Sequence, residues 1–216
     1  MRREDLALYL VTDRELALGR DLETVVLQAV AGGVTLVQLR EKDLDTRSFI
    51  ELGLRLKAAL ASTGVPLLIN DRVDVALAVD ADGVHIGQSD MPYEMARRLL
   101  GPDKIIGLSV ETMEEVEEAN ALDVDYIAVS PVFSTATKTD TLQPFGYEGL
   151  QRACALTRHP VCGICGMKAS TIGEAIRCGA DGVAVVSAIV SAPDPELASK
   201  ELKKIIDNEL DKRRLD

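Results

Sequence analysis

What the chain most lacks is cations. Its 216 residues carry 24 Lys and Arg against 35 Asp and Glu, a formal charge of −11 with a pI near 4.7. Nucleic acids and anionic membranes both need a broad basic face, for counterion release or surface attraction, so neither is expected as a partner. Any anionic ligand has to be held locally, by a few cations, backbone N–H groups or a metal. Long apolar runs are missing as well. No stretch would cross a bilayer, and no charged start leads into an apolar signal core. The expectation is a soluble, cytoplasmic protein.

Cysteine is scarce and confined to one third of the chain, at Cys154, Cys162, Cys165 and Cys178. "CGIC" has redox or zinc spacing, yet no second ligand pair accompanies it and the segment lies across a strand end, so reduced core thiols are expected. There are only two histidines. His85, inside an apolar strand, fits a hydrogen-bonded structural residue at least as well as a ligand contact. His159, before Pro160 at a helix end, is expected on the surface near the helix dipole.

What is present is a repeating pattern. At 47% hydrophobic the chain can bury a substantial core. Eight short runs rich in Val, Ile and Leu recur: "LYLVTD", "VTLVQLR", "PLLIN", "GVHIG", "KIIGLS", "DYIAVS", "PVCGI" and "GVAVV". Between them lie stretches with apolar residues every three or four positions, such as "DLETVVLQAV", "TRSFIELGLRLKAAL", "ETMEEVEEANA" and "ASTIGEAIRCG", with "PELASKELKKIIDNELDKRR" at the end. In "ETMEEVEEAN" the acids form a solvated face. Strand and helix in alternation imply parallel strands with right-handed crossovers. Four segments echo one another, "AGGVTLVQL", "AVDADGVHI", "ALDVDYIAV" and "CGADGVAVV", each joining a helix end to a strand through Gly or Asp, as a left-handed helix end or tight turn requires. Eight such units fit a compact α/β protein of the (β/α)8 TIM-barrel class, one domain over residues 1–216. The rival, an open doubly wound sheet, usually carries a glycine-rich fingerprint after its first strand, and "LYLVTDRELALGRD" has none.

A barrel of this kind builds its active site at the C-terminal strand ends. Unusual polar residues fall there. Strand two ends in "QLREK", which puts Gln38, Arg40 and Lys42 on one side of an extended chain. Strand three supplies Asn70 and Asp71, strand four Gln88 and Asp90, strand five Ser109. Strand six opens into "SPVFSTATKTDT", with four threonines, two serines and Lys138. Arg40 can fork onto phosphate oxygens, with Lys42 and Lys138 as point charges. Asp71 and Asp90 suit Mg2+, a hard cation that takes one or two carboxylates plus phosphate oxygens, although each also precedes an apparent helix and fits an N-cap equally well. A second phosphate site is expected after strands seven and eight, where Gly166 allows backbone approach and Ser187 offers amide and hydroxyl. Two anion sites in one mouth suggest two substrates.

Through "LYLVTD", "QLREK", "INDRVDVA", "GVHIGQSD", "IIGLSV", "PVFSTATKTD" and "GADGVAVVSAI" the chain resembles the thiamine-phosphate synthase family nearly end to end. That resemblance implies a transferase of thiamine biosynthesis on a (β/α)8 barrel. It would couple a hydroxymethylpyrimidine diphosphate with a thiazole phosphate, giving thiamine phosphate and pyrophosphate by a dissociative, Mg2+-assisted displacement. The resemblance assigns Gln38 to the pyrimidine and Arg40, Lys42, Asn70, Ser109 and Lys138 to its diphosphate, with Leu39 and Glu41 in the same segment. Arg40, Lys42, Ser109 and Lys138 are the implied catalytic set, and Asp71 and Asp90 the metal ligands. Thr135, Ala136, Thr137, Gly166, Val186 and Ser187 would receive the thiazole phosphate. The two phosphorylated substrates are the implied partners, and a homo-oligomer is left open. The chain departs from the family pattern at Cys165, where a glycine usually pairs with Gly166. It departs also at Val110 and Glu111, where a histidine is frequent, at Ser130 in place of Gly and at Ser134 in place of Pro. Cys165 predicts a narrower thiazole phosphate site. Competing activities are a thiazole tautomerase, an isomerase on a similar barrel, and a non-catalytic sensor of thiazole phosphate.

Overall fold

The computed structural model describes residues 1–134 and 143–215. Eight strands run parallel around a closed barrel in sequence order. They are β1 (Leu8–Val11), β2 (Leu36–Leu39), β3 (Leu67–Asn70), β4 (Gly83–Ile86), β5 (Ile105–Val110), β6 (Tyr126–Val129), β7 (Val161–Gly163) and β8 (Gly182–Val185). The ring closes where Tyr9 of β1 pairs with Ala184 of β8. All eight expected strands are present, so the chain is a (β/α)8 barrel of the α/β class.

The helices that cover the barrel are α1 (Leu22–Ala31), α2 (Thr46–Leu60), α3 (Val73–Ala78), α4 (Tyr93–Leu100), α5 (Met113–Ala119), α6 (Gly146–Leu156), α7 (Ile172–Arg177), α8 (Ser187–Val190) and α9 (Pro195–Leu215). Asp21 and Asp45 accept hydrogen bonds from the Thr24 and Ser48 amides, which fixes the starts of α1 and α2. In α5 only Val116 and Ala119 are buried, and the acids Glu114, Glu117 and Glu118 stay exposed as expected.

Side chains alternate across each strand, giving two apolar layers. Outward-facing Leu8, Val37, Leu39, Ile69, Val84, Ile106, Ile127 and Val183 pack beneath the helices. Inward-facing Tyr9, Val11, Leu36, Leu68, Ile105, Tyr126, Ala128, Cys162 and Ala184 fill the barrel. The interior is therefore a packed core that leaves no open channel through the barrel.

The four echoing segments have a common physical role that their turn chemistry did not reveal. Thr35, Asp82, Asp125 and Asp181 each stand just before an even-numbered strand. Each accepts a side-chain hydrogen bond from the backbone N–H of Leu8, Leu67, Ile106 and Val161 respectively, at 2.8 to 3.0 Å. The backbone N–H of each donates in return to the carbonyl of the same partner. Four two-point clasps thus close the barrel floor. Lys57 pairs with Asp82 at 2.7 Å, and Arg3 and Arg213 with Asp181 at 3.1 and 3.3 Å.

His159 corrects its sequence expectation. It is 6% exposed and bonded through Nε2 to the Ala119 carbonyl at 2.9 Å, so it bridges α5 to the start of β7 from inside. Proximity to Pro160 made it look like a surface residue, but the carbonyl at the end of α5 needed a partner.

Candidate functional site

The C-terminal strand ends surround a cavity of about 950 Å³. Gln38, Arg40 and Lys42 line it, confirming that alternate positions of "QLREK" share one side. Asn70, Asp71, Asp90 and Ser109 join them from β3, the loop after β4, and β5, as do Gly166, Val186 and Ser187 from beyond β7 and β8. Thr135, Ala136, Thr137 and Lys138 lie outside the described residues. The side chains of two residues of the implied set, Leu39 and Glu41, lie away from the cavity. Leu39 is fully buried in the layer beneath the helices. The two Glu41 carboxylate oxygens share the single Arg14 Nε–H, at 2.9 and 2.8 Å. The two-residue period of the strand turns both side chains away from the cavity that their neighbours line.

Asp71 and Asp90 are brought together from the ends of adjacent strands. Neither caps the helix that follows. The N-cap positions of α3 and α4 are Arg72 and Pro92, and neither carries a side-chain capping bond. Asp90 instead accepts from the Gly87 amide at 2.7 Å, closing its own loop. Asp71 adopts a left-handed backbone with φ of 59°, which aspartate tolerates better than most residues, while its amide donates to the His85 carbonyl at 2.8 Å. Desolvation by the rim, then the hydrogen bond and like charge of Asp90, push the Asp71 carboxyl up to about 7, against the opposing pull of Asn70 and Arg40. Two facing carboxylates need a proton or a cation between them. Oxygen-only donors with no thiolate or imidazole among them suit a hard divalent ion, which would complete its shell from ligand oxygens and water. Among the described residues no cluster of three or more His, Cys, Asp or Glu could hold a metal alone.

Cationic and polar side chains line the same cavity as that pair. The Arg40 amide donates to Thr12 Oγ1 at 3.0 Å, which anchors the residue. Its guanidinium is 3.9 Å from the Asp13 carboxylate, too far for a hydrogen bond, so its forked donors remain available to the mouth. Gln88 Nε2 donates to the Ser109 carbonyl at 2.7 Å, tying the loop after β4 to β5.

On the opposite wall, Cys165 and Gly166 both take left-handed backbone, at φ of 71° and 72°. That conformation explains why glycine suits position 165. The Cys165 Sγ lies 3.7 Å from Ser130 Oγ, so two of the departures from the family pattern meet across β6 and β7. A Cβ on Gly166 would come within 2.7 Å of the Phe133 Cβ, so this position needs glycine for space as well. Ser187 opens α8, and its amide and that of Ala188 precede the first bond of the turn, which Ile189 makes to the Val186 carbonyl at 3.1 Å. Phe133, Met167, Lys168 and Thr171 also line the cavity and were not singled out in the sequence. Lys168, two residues beyond Gly166, was the one visible signal. Cys162 is inert by burial, its thiol pushed well up from its ordinary value, and burial pushes Cys154 up to about 12.

A family model described as thiamine monophosphate synthase matches residues 8–189. A thiamine-phosphate synthase of Albidiferax ferrireducens is 54% identical over 207 residues, 96% of this chain and 94% of that protein. One from Vibrio campbellii is 53% identical, covering 90% of this chain and 95% of that one. The solved thiamine phosphate pyrophosphorylase from Pyrococcus furiosus superimposes with a TM-score of 0.88 at 39% identity, over 96% of this chain and 98% of the other.

Proposed function

The chain belongs to the thiamine monophosphate synthase family, and on that premise we propose that its barrel mouth joins a pyrimidine diphosphate to a thiazole phosphate. Thiamine phosphate forms and pyrophosphate leaves. The protein is an enzyme, a transferase, acting on two small phosphorylated substrates. Among the described residues no helix is long and apolar enough to cross a membrane.

The observation that carries the site assignment is the convergence of Arg40, Lys42, Asn70 and Ser109 with the paired carboxyls of Asp71 and Asp90 in one cavity. In the proposed reaction the bond between the pyrimidine methylene carbon and the diphosphate oxygen breaks, its electron pair leaving with the oxygen. The thiazole nitrogen then contributes its lone pair to the same carbon. Arg40 forks onto the departing oxygens, Lys42 adds a compact charge, and Asn70 and Ser109 orient the diphosphate. Lys138, outside the described residues, is assigned to the same group by the family resemblance. Gln38 holds the pyrimidine, 3% exposed and fixed by its bond to Tyr9. Asp71 and Asp90 would hold Mg2+, which when bound neutralises charge on the leaving group. Gly166, Val186 and Ser187 would receive the thiazole phosphate, with Thr135, Ala136 and Thr137 from the loop outside the described residues. No side chain acts as a nucleophile, so positioning and charge stabilisation supply the rate.

The test supplies both substrates with Mg2+ and measures thiamine phosphate and pyrophosphate in equal amounts. Turnover of the thiazole compound alone, without coupling, would indicate an isomerase. Binding of the thiazole phosphate without metal and without product would indicate a sensor.

A further inference from the structure

Beneath the mouth, polar groups form an unbroken line across the barrel interior. Gln38 Nε2 donates to the Tyr9 hydroxyl, which lies 2.9 Å from the Tyr126 hydroxyl. Tyr126 meets His85 Nδ1 at 2.8 Å, and His85 Nε2 meets Ser109 Oγ at 2.8 Å. The rings are held by contact, His85 stacked on Tyr126 at 25° and Tyr9 edge-on to Tyr126 at 83°. Tyr9, Tyr126 and His85 are 1%, 0% and 6% exposed. Room for the line is built into the sequence: a Cβ on Gly107 would come within 2.1 Å of the Tyr126 ring. Burial raises both phenols well above their ordinary values, so both remain O–H donors.

Each phenol has one hydrogen, and a neutral imidazole has one N–H. The line therefore has a direction. With Gln38 donating, Tyr9 donates to Tyr126 and Tyr126 to His85 Nδ1, while His85 Nε2–H donates to Ser109. The Ser109 O–H is then left to donate into the mouth, and the Gln38 carbonyl is left to accept. In the reverse order Ser109 spends its hydrogen on His85 and has only lone pairs for a ligand. An anionic oxygen at Ser109 and an amine at Gln38 both require the first order.

We propose that Tyr9, Tyr126 and His85 are a positioning relay that couples the orientation of the Gln38 amide to the donor state of the Ser109 hydroxyl. The two ends of the pyrimidine substrate are thereby recognised as one unit. The relay rests on the proposed function for the identity of that substrate, but its internal coupling does not depend on turnover.

Two measurements test it. The first reads the His85 ring by nitrogen NMR in uniformly labelled protein at a pH where imidazole is neutral, with only His159 as a second signal. The unsubstituted enzyme should carry its proton on Nε2. A carboxylate can only accept, so Gln38→Glu should reverse the line and move the proton to Nδ1, and adding Tyr126→Phe should abolish that response. The same tautomer in the unsubstituted enzyme and in Gln38→Glu would overturn the relay. The second is kinetic. Tyr126→Phe should lower kcat/KM for the pyrimidine diphosphate about tenfold, the scale of one buried hydrogen bond, while KM for the thiazole phosphate stays within about twofold. The effects of Gln38→Ala and Ser109→Ala should be non-additive with Tyr126 present and additive with phenylalanine in its place. Additivity in both backgrounds, or equal losses for both substrates, would refute the coupling. Should the unsubstituted enzyme form no product, the proposed function fails while the tautomer experiment still decides the relay.

Discussion

Replacing Asp71 by asparagine should flatten the pH dependence of magnesium activation. In the metal-free mouth the Asp71 carboxyl is pushed up to about 7 by desolvation and by Asp90. Below that value a proton occupies the position a cation needs. One pH unit below, about nine sites in ten hold the proton, so the apparent magnesium constant should weaken roughly tenfold between pH 8 and pH 6. The assay is the magnesium concentration for half-maximal coupling at each pH, with both substrates saturating. Asparagine cannot be protonated in this range, so the variant should bind magnesium more weakly but with little of the pH dependence. It also controls for titration of the substrate diphosphate itself. A parallel effect appears in stability without metal. A raised carboxyl pKa means that the folded state keeps a proton the unfolded chain has released, so stability is present at low pH and declines as pH rises from about 4 to 7. Asp71 sits at the rim, desolvated on its barrel side but still accessible to solvent, and screening reduces that loss to the order of 1 kcal/mol. Identical magnesium constants at pH 6 and pH 8, or the same dependence in the variant, would refute the paired-carboxylate geometry.

The other predictions concern the floor and the thiazole side. Asp181→Ala orphans the buried Val161 amide and the contacts of Arg3 and Arg213, and should cost about 2–3 kcal/mol. Asp181→Asn keeps an acceptor and should cost about half as much; urea midpoints at unchanged slope measure both, and equal losses would rule out the clasp. Cys165→Gly removes the left-handed strain at φ of 71° and widens the thiazole side of the mouth. It should lower KM for the thiazole phosphate and leave stability within about 1 kcal/mol, as relief of strain offsets added chain freedom. An unchanged KM would show that the cysteine does not narrow the site.

Much of the architecture was legible because each strand repeats one local rule. Short apolar runs of five to seven residues located all eight strands, and the period of two located Gln38, Arg40 and Lys42 on one wall. The same period, applied strictly, also excludes the side chains of Leu39 and Glu41, which the family resemblance alone had included. Competition between N-cap and metal-ligand roles for Asp71 and Asp90 could not be resolved from sequence. Both residues precede helices, and only the fold shows that Arg72 and Pro92 take the cap positions. Tyr9 and Tyr126 were hidden for another reason. They are 117 positions apart, and each looks like an ordinary aromatic in an apolar strand until barrel closure puts one hydroxyl against the other.

The clasps carry one more consequence. Each joins strands one to two, three to four, five to six, or seven to eight, and none joins the strands between those pairs. The floor therefore has a period of two βα units, although the sheet has a period of one. Loss or gain of a single unit would set acceptor beside acceptor and leave strand amides stranded. Change by two units at a time would keep every fastening in phase, so the smallest interchangeable block of this barrel is a quarter of its circumference.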